Sequence, residues 1–380
     1  IMTESIHIVE VKSRKELDRF IKFNYKLYKG NKYAVPELYS DMVNNFTPNG
    51  NAALDFCDLV LFNAYCENTI VGRIAGIINH KANNVWNRRV VRFGWIDYID
   101  NKDVSKALLD AVENWGRTQG MTEIEGPLGF TDFDPEGMLT DGFDQLGTMA
   151  TNYNYPYYAE HLEALGYEIS ANWVEWQIPF DVIPEKMSRL ADVVLKRYNL
   201  HVAEFGKSKS DEAKRYATKL FELVNEAYAP LYGYSAFSDK QIAVYVKRYL
   251  KLIDKRLVVI ILDENEEPIA AGLIMASLSR ALQKSKGYMF PFGWWHLAKA
   301  LWWKHDNIVD LMFLAIKPEY QNKGLNSVMF NRLIPIAKEM GFKVAESNPE
   351  LDNNSKVQAH WNYFEGAHIH KRRKAFRKDI

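Results

Sequence analysis

The chain has 380 residues, and its 48 Lys and Arg balance 48 Asp and Glu, a formal charge of zero that does not imply the strong positive field of a nucleic-acid binder. The length exceeds that of most single cores, so two domains are expected, and a composition 47% hydrophobic and 25% charged excludes a disordered or fibrous chain. Two cysteines, Cys57 and Cys66, are too few for a disulfide framework or a structural zinc site.

A strand is predicted over 6–12, then a helix in "SRKELDRFIKFNYKLYKG". There Ser13 and Glu16 have capping-box spacing, and Leu17, Phe20, Ile21 and Leu27 recur at helical period. A polar loop fills about 30–55. Next, "DLVLFNAYCENTIVGRIAGIINH" reads as two strands turning at Glu67-Asn68 and "VVRFGWIDYI" as a third strand. "NKDVSKALLDAVENWGRTQGM" follows as an amphipathic helix ended by Gly120. The strand "TEIEGPL", a long loop over 127–152, the helix "PYYAEHLEALGY" and the strand "ISANWVEWQI" complete this half, and Pro179 and Pro184 punctuate a boundary.

The order then repeats. A strand "LHVAEF" leads to helices "SDEAKRYATKLFELVNEAY" and "SDKQIAVYVKRYLKLI", a hairpin "RLVVIILDENEEPIAAGLIMAS" and a strand "IVDLMFLAI". A helix from Gly324 to about Met340, a strand "KVAES" and a helix near 354–365 follow. The expected class is α/β (α+β): two domains, 1–180 and 181–380, each a mixed, mostly antiparallel sheet with helices on both faces.

Charge divides unevenly between these halves. Residues 1–180 carry 16 Lys and Arg against 25 Asp and Glu, and residues 181–380 carry 32 against 23, so the second half suits a phosphorylated ligand better. Much of the excess lies in "KRRKAFRK" at 371–378, expected to be a solvated strand edge protected by charge. The start "IMTESIHIVEV" has neither the basic beginning nor the apolar core of a signal peptide, and a cytoplasmic protein is expected.

"MFPFGWWHLAKALWW" (289–303) falls short of the ~20 residues of a membrane span. On a short helix Trp294, Trp295, Leu297, Ala298, Leu301 and Trp302 cover most of the circumference. Core packing is the first expectation for it; an acyl-chain tunnel and a weak membrane-surface contact through Trp294, Trp295 and Trp302 are the functional alternatives. "DFDPEGMLTDGFD" (132–144) begins like a calcium loop, but its twelfth position is Phe143 and Pro135 is out of place, so no metal is expected. His368 and His370, two apart in a strand, read as surface residues.

The apolar strand running into Gln321-Asn322-Lys323-Gly324-Leu325-Asn326 and a helix resembles the GCN5-related N-acetyltransferase (GNAT) superfamily, whose pyrophosphate motif is Arg/Gln-x-x-Gly-x-Gly/Ala. "TIVGRIAGIINH", "DGFD", "NYPYYAEHLEALGY", "FPFGWWHLAKALWW" and "LAIKPEYQNKGLN" extend the likeness to a large bacterial family of tandem GNAT-like proteins, over nearly the whole chain. The resemblance implies transfer of an acyl group, acetyl first, from acetyl-CoA or another acyl-CoA to a small-molecule or peptide amine; the alternative is a non-catalytic acyl-CoA or lipid binder on a degenerate GNAT fold.

Residue by residue, the resemblance implies a diphosphate held by main-chain N–H groups at Gly324, Leu325 and Asn326 with Gln321 and Lys323 as donors, the helix dipole assisting. Asn326 departs from the motif's second small residue. Backbone groups around Leu314 and Ile316 would polarise the thioester, and Asn354 or its neighbour Asn353 would contact the pantetheine arm. Glu346, at the end of "KVAES" with Glu350 and Asp352 close behind, is the candidate base. Tyr363 is the candidate acid, although it stands three residues before Gly366 where the family has four. In the first half the corresponding stretch "WIDYIDNKDVSKALL" lacks glycine and sets Asp97, Asp100 and Asp103 toward a phosphate, so that half is expected to be a degenerate copy.

Overall fold

The computed structural model describes residues 5–204 and 210–380. In chain order the first elements are β1 (Ile6–Glu10), α1 (Arg14–Leu27), α2 (Tyr39–Asn45), β2 (Cys57–Cys66), β3 (Thr69–Asn79), α3 (His80–Trp86), β4 (Val90–Tyr98), α4 (Lys102–Thr118), β5 (Glu123–Gly126), β6 (Met138–Asp141), α5 (Tyr157–Ala164) and β7 (Glu168–Pro179). There follow α6 (Glu185–Tyr198), β8 (His201–Val202), α7 (Ser210–Tyr228), α8 (Asp239–Tyr249), β9 (Val258–Leu262), β10 (Pro268–Ala276), α9 (Ser279–Ser285) and α10 (Gly293–Trp302). The chain ends with β11 (Ile308–Ile316), α11 (Leu325–Glu339), β12 (Val344–Glu346), β13 (Glu350–Leu351), α12 (Ser355–Trp361) and β14 (His368–Asp379).

The chain divides into two compact units that are not contiguous in sequence. Unit 1 takes the chain up to Val174 together with Leu278–Ala298 and Lys371–Ile380; unit 2 takes Glu175–Ser277 and Lys299–His370. A cut at 180/181 does not follow these units, because Leu278–Ala298 and Lys371–Ile380 from the second half return to unit 1.

In unit 1 the strands run β1-β2-β3-β4-β5-β14, antiparallel except for β4 beside β5. β3 shows why both faces are covered. Ile74 and Ile78 join a core with Val104, Leu108 and Val112 of α4, whereas Ala75 and Ile77 join one with Leu17, Phe20 and Ile21 of α1. Ser13 caps α1 by accepting from Glu16 N, while the Glu16 carboxylate accepts from Tyr65 at 2.7 Å and Asn63 at 3.0 Å.

The basic tail is not a solvated edge. Arg372–Lys374 pairs with β6 and Phe376–Asp379 with β5, and Lys371, Arg373 and Phe376 are buried. Arg373 is satisfied in part by the Asn152 carbonyl at 2.8 Å. Of the two histidines read as surface residues, His368 is exposed but His370 is buried.

In unit 2 the last part of β7 starts the order β7-β12-β11-β10-β9-β8, antiparallel except for β11 beside β12. α7 and α8 close one face over Ile260, Ala271 and Ala315; α11 packs on the other face and carries α6 on its outer side. Ser238 and Gln241 form a full capping box at α8. The strand predicted over 200–205 is only His201–Val202 in the structure, and position 205 lies outside the described residues. Core packing of 289–303 is contradicted: the buried residues of α10 are Gly293 and Leu297, whereas Trp294, Trp295 and Trp302 are exposed.

Candidate functional site

β11 pairs in parallel with β12 over Ile308–Asp310 against Val344–Glu346, and there the ladder stops. Its pairing with β10 continues to Ile316 but skips Met312, a bulge that reverses which side chains face which side. Before the bulge, Val309 and Leu311 line an apolar cavity with Phe330 of α11 and Trp361 of α12. After it, Phe313 and Ala315 belong to the α7 core, and Leu314 turns toward α11, where a Cβ on Gly272 would come within 2.9 Å of Leu314 Cδ2 and 3.4 Å of Met329 Sδ. The result is a strand that parts from one neighbour and runs into the start of a helix.

The loop after it is held by its own side chains. Gln321 Nε2 donates to the Ile316 carbonyl at 3.1 Å, so one expected phosphate donor closes the loop instead. Lys323 Nζ sits over the rings of Tyr320 and Tyr198 at 4.8 and 5.0 Å, a cation held at the entrance to α11. Gly324 is the N-cap with φ +85°, and a Cβ there would lie 3.1 Å from Val194 Cγ2 of α6. Glycine is therefore favoured by the backbone, and a Cβ would also press on the helix crossing it. With no side chain at the N-cap, the first-turn amides at Leu325 and Asn326 are not capped from within as they are in helices opened by Ser or Asn. Leu325 buries its side chain, and Asn326 is half-buried in the first turn.

Beyond β12 and along β11, polar side chains engage the neighbouring elements. Glu346 is buried, in register with Asp310 across the parallel pair. Ser347 turns to β7, its hydroxyl accepting from Trp176 N at 2.8 Å. Asn348 reaches back across the gap and donates to the carbonyl of the bulged Met312 at 2.7 Å. Tyr228 of α7 donates to the Leu314 carbonyl at 3.1 Å. Glu350 accepts from the Trp361 indole through both carboxylate oxygens, each at 3.1 Å, and burial pushes its carboxyl up to about 8 against the pull of that indole.

The sequence pattern does not single out Asn348 or the Glu350–Trp361 pair, because their meaning depends on a strand gap visible only once β11 and β12 are paired. Tyr363 is 48% exposed with its ring under Lys186 Nζ at 5.0 Å. Asn354 is the N-cap residue of α12, and Asn353 beside it is exposed. The structure therefore brings Gln321, Lys323, Gly324, Leu325 and Asn326 together around the α11 start, with Leu314 and Ile316 on the strand that leads there.

Unit 1 repeats the geometry and then closes it. β4 and β5 pair over Val90–Arg92 and Glu123–Glu125, and Trp95, with φ +43°, lies in the bulge that follows. The gap is filled by the chain itself: Leu128 N donates to Phe93 O at 2.9 Å, and a Cβ on Gly94 would sit 2.5 Å from the Leu128 carbonyl oxygen. Asp97 does not face a phosphate, contrary to the sequence reading. It is buried and accepts from Arg73 Nε at 2.8 Å, Asn24 at 2.9 Å, Tyr28 at 3.0 Å and Tyr158 at 3.1 Å. Asn101 caps α4 by accepting from Asp103 N at 2.8 Å, and Asp100 accepts from His161 at 3.2 Å. Nearby, burial raises the carboxyls of Asp132 to about 7, Asp134 to about 6 and Glu37 to about 7, and holds Glu136 well above the usual range. Among the described residues no His, Cys, Asp and Glu cluster could hold a metal ion.

This doubled arrangement has a counterpart among solved structures. A tandem GNAT protein from the clavulanic acid biosynthesis pathway superposes with a TM-score of 0.57 at 11% identity, covering 99% of this chain and 98% of that one. The chain has the tandem GNAT fold. Among curated proteins it is 25% identical over 335 residues to Protein YghO of Escherichia coli, covering 86% of this chain and 83% of that protein. It is 24% identical over 359 residues to a bacterial ceramide synthase of Caulobacter vibrioides, covering 91% and 89%. No protein-family model matches the sequence. Among the described residues no helix is long and apolar enough to cross a membrane.

Proposed function

We propose that the protein transfers an acyl group from an acyl-CoA thioester to an amine in unit 2, acetyl-CoA and longer acyl-CoAs both being candidate donors. The observation that carries this reading is the gap beyond Asp310 and Glu346, which opens along β11 and ends at the α11 start. Lys323 and the amides of Leu325 and Asn326 there suit a diphosphate, and their fit depends on Gly324 presenting no side chain. The relative named a ceramide synthase favours a long-chain acyl donor, since a ceramide is an N-acylated amino alcohol.

In the reaction the amine nitrogen attacks the thioester carbonyl, the C–N bond forms as the C–S bond breaks, the ammonium proton goes to a base, and the thiolate takes a proton on leaving. Two carboxyls follow β12. Glu346 is the strand-end base read from the sequence, and Glu350 is better tuned, because a group titrating near 8 accepts a proton from an ammonium without a large penalty. Glu350 is neutral below about 8 and anionic above, so turnover is expected to rise with pH through that value.

A non-catalytic acyl-CoA binder is the second reading, favoured by the half-exposed Tyr363, whose position under Lys186 leaves the proton donor for the thiolate unassigned. Thermal shift with CoA, acetyl-CoA and palmitoyl-CoA, followed by thiol release with a panel of short and long-chain amines, separates the two. Glu350→Gln is expected to lower turnover by about 10²–10⁴-fold and remove the rise near pH 8. The same loss in Glu346→Gln alone would move the role to that residue, and no thermal shift with any thioester would remove both readings.

A further inference from the structure

The stretch from Tyr288 to Trp303 places large apolar side chains in water. Phe290 is 80% and Phe292 71% exposed, and Trp294, Trp295, Trp302 and Trp303 are exposed as well. Isolated surface aromatics need no explanation, but a run of them does.

This exposure is fixed by the fold. Tyr39 N donates to the Gly287 carbonyl at 2.7 Å, and Gln283 Nε2 donates to the carbonyls of Lys32 and Ala34. Tyr288 stacks on Tyr39 and meets Tyr25 edge-on. The turn into α10 closes through Trp294, whose backbone N donates to Met289 O at 2.8 Å and whose indole donates to Pro291 O at 3.0 Å. At Gly293 a Cβ would sit 1.7 Å from the Tyr288 carbonyl oxygen, so only glycine lets the chain turn there. Phe290 and Phe292 are carried, exposed, on this hydrogen-bonded turn.

Charge selects the occupant. The unit 1 segment Leu278–Ala298 contains Arg280, Lys284 and Lys286, all exposed, and no Asp or Glu. A second copy of this chain seated on the same patch would set these cations against their own kind. An anionic bilayer surface accepts both features, the cations at the headgroups and the Phe and Trp rings at the acyl boundary.

We propose that the turn at 288–295 forms a docking surface for anionic phospholipid membranes, with Phe290 and Phe292 entering the interface and Lys284 and Lys286 of the same unit supplying the cations. Docking of this kind needs no thioester and no turnover, so it stands apart from the acyl-transfer reading. It would place the protein beside amphipathic acyl donors and amines.

Cosedimentation of the full chain with vesicles tests it, using phosphatidylcholine alone and phosphatidylcholine mixed with phosphatidylglycerol. Binding to the mixed vesicles is expected at low salt, about tenfold weaker in the double variant Lys284→Glu/Lys286→Glu. Phe290→Ser/Phe292→Ser is expected to weaken it by about tenfold or more at an unchanged melting temperature, since both rings lie in solvent. Failure of the unmodified protein to bind the mixed vesicles, or full binding by the Phe variant, would overturn the proposal. So would a concentration-dependent dimer that the Phe variant dissociates, because the patch would then be covered by a second copy.

Discussion

Units 1 and 2 share a parallel strand pair that stops after one short ladder, a bulge just beyond it, and a helix after the bulged strand; they differ in what occupies the resulting gap. In unit 1 the backbone at Leu128 lies against Gly94, and the first rung past the bulge is the buried pair Arg73–Asp97. In unit 2 the corresponding rung is Leu273 opposite Phe313, the gap is crossed by the Asn348 side chain, and the helix begins at a glycine. Asn101 caps α4 from within, whereas Gly324 leaves the start of α11 to other partners. The two units thus differ beside the bulge, one with its gap filled by backbone and the other with a helix start that no side chain caps.

The largest expected effect breaks the closed gap. Gly94→Ala places a methyl 2.5 Å from a backbone oxygen that cannot swing aside, and a loss of about 1–3 kcal/mol is expected in denaturant unfolding. A neutral result would mean that the 127–130 loop yields readily and that unit 1 is not firmly plugged.

A smaller effect comes from buried carboxyls, four of them in unit 1. Glu37, Asp132 and Asp134, raised to about 7, 7 and 6, and Glu136, held well above the usual range, contribute stability that is full below about pH 4 and is lost as pH rises from there through their folded values. Glu350 adds the same sign near 8. The melting temperature is expected to be higher near pH 6 than near pH 8.5, and Glu136→Gln should flatten the slope. A melting temperature that rises over that interval would contradict the burial of this acidic group.

Much of this contrast was legible in the sequence. The strand and loop from Ile308 to Gly324 read correctly because an apolar strand, a lone glycine and a helical period are local signals, and the repeated order exposed the doubling. The fate of Asp97 was not legible, since its partners Arg73, Asn24, Tyr28 and Tyr158 come from other elements. Nor was the interior place of β14, whose basic residues suggest an edge until β5 and β6 are seen beside it. Hydrophobicity likewise assigned Trp294 and Trp302 to a core; nothing local records that helix α10 turns them outward.

The central claim is that the start of α11, and not that of α4, receives the diphosphate of CoA. Calorimetric titration with CoA and palmitoyl-CoA of the full chain and of Asn326→Asp and Asp103→Asn tests it most directly, because an aspartate in a first helical turn favours the helix dipole and leaves folding intact while repelling a phosphate. Binding by the unmodified protein is expected to weaken about tenfold or more in Asn326→Asp and to be unchanged in Asp103→Asn. Equal affinity in Asn326→Asp, or a change confined to Asp103→Asn, would contradict the account.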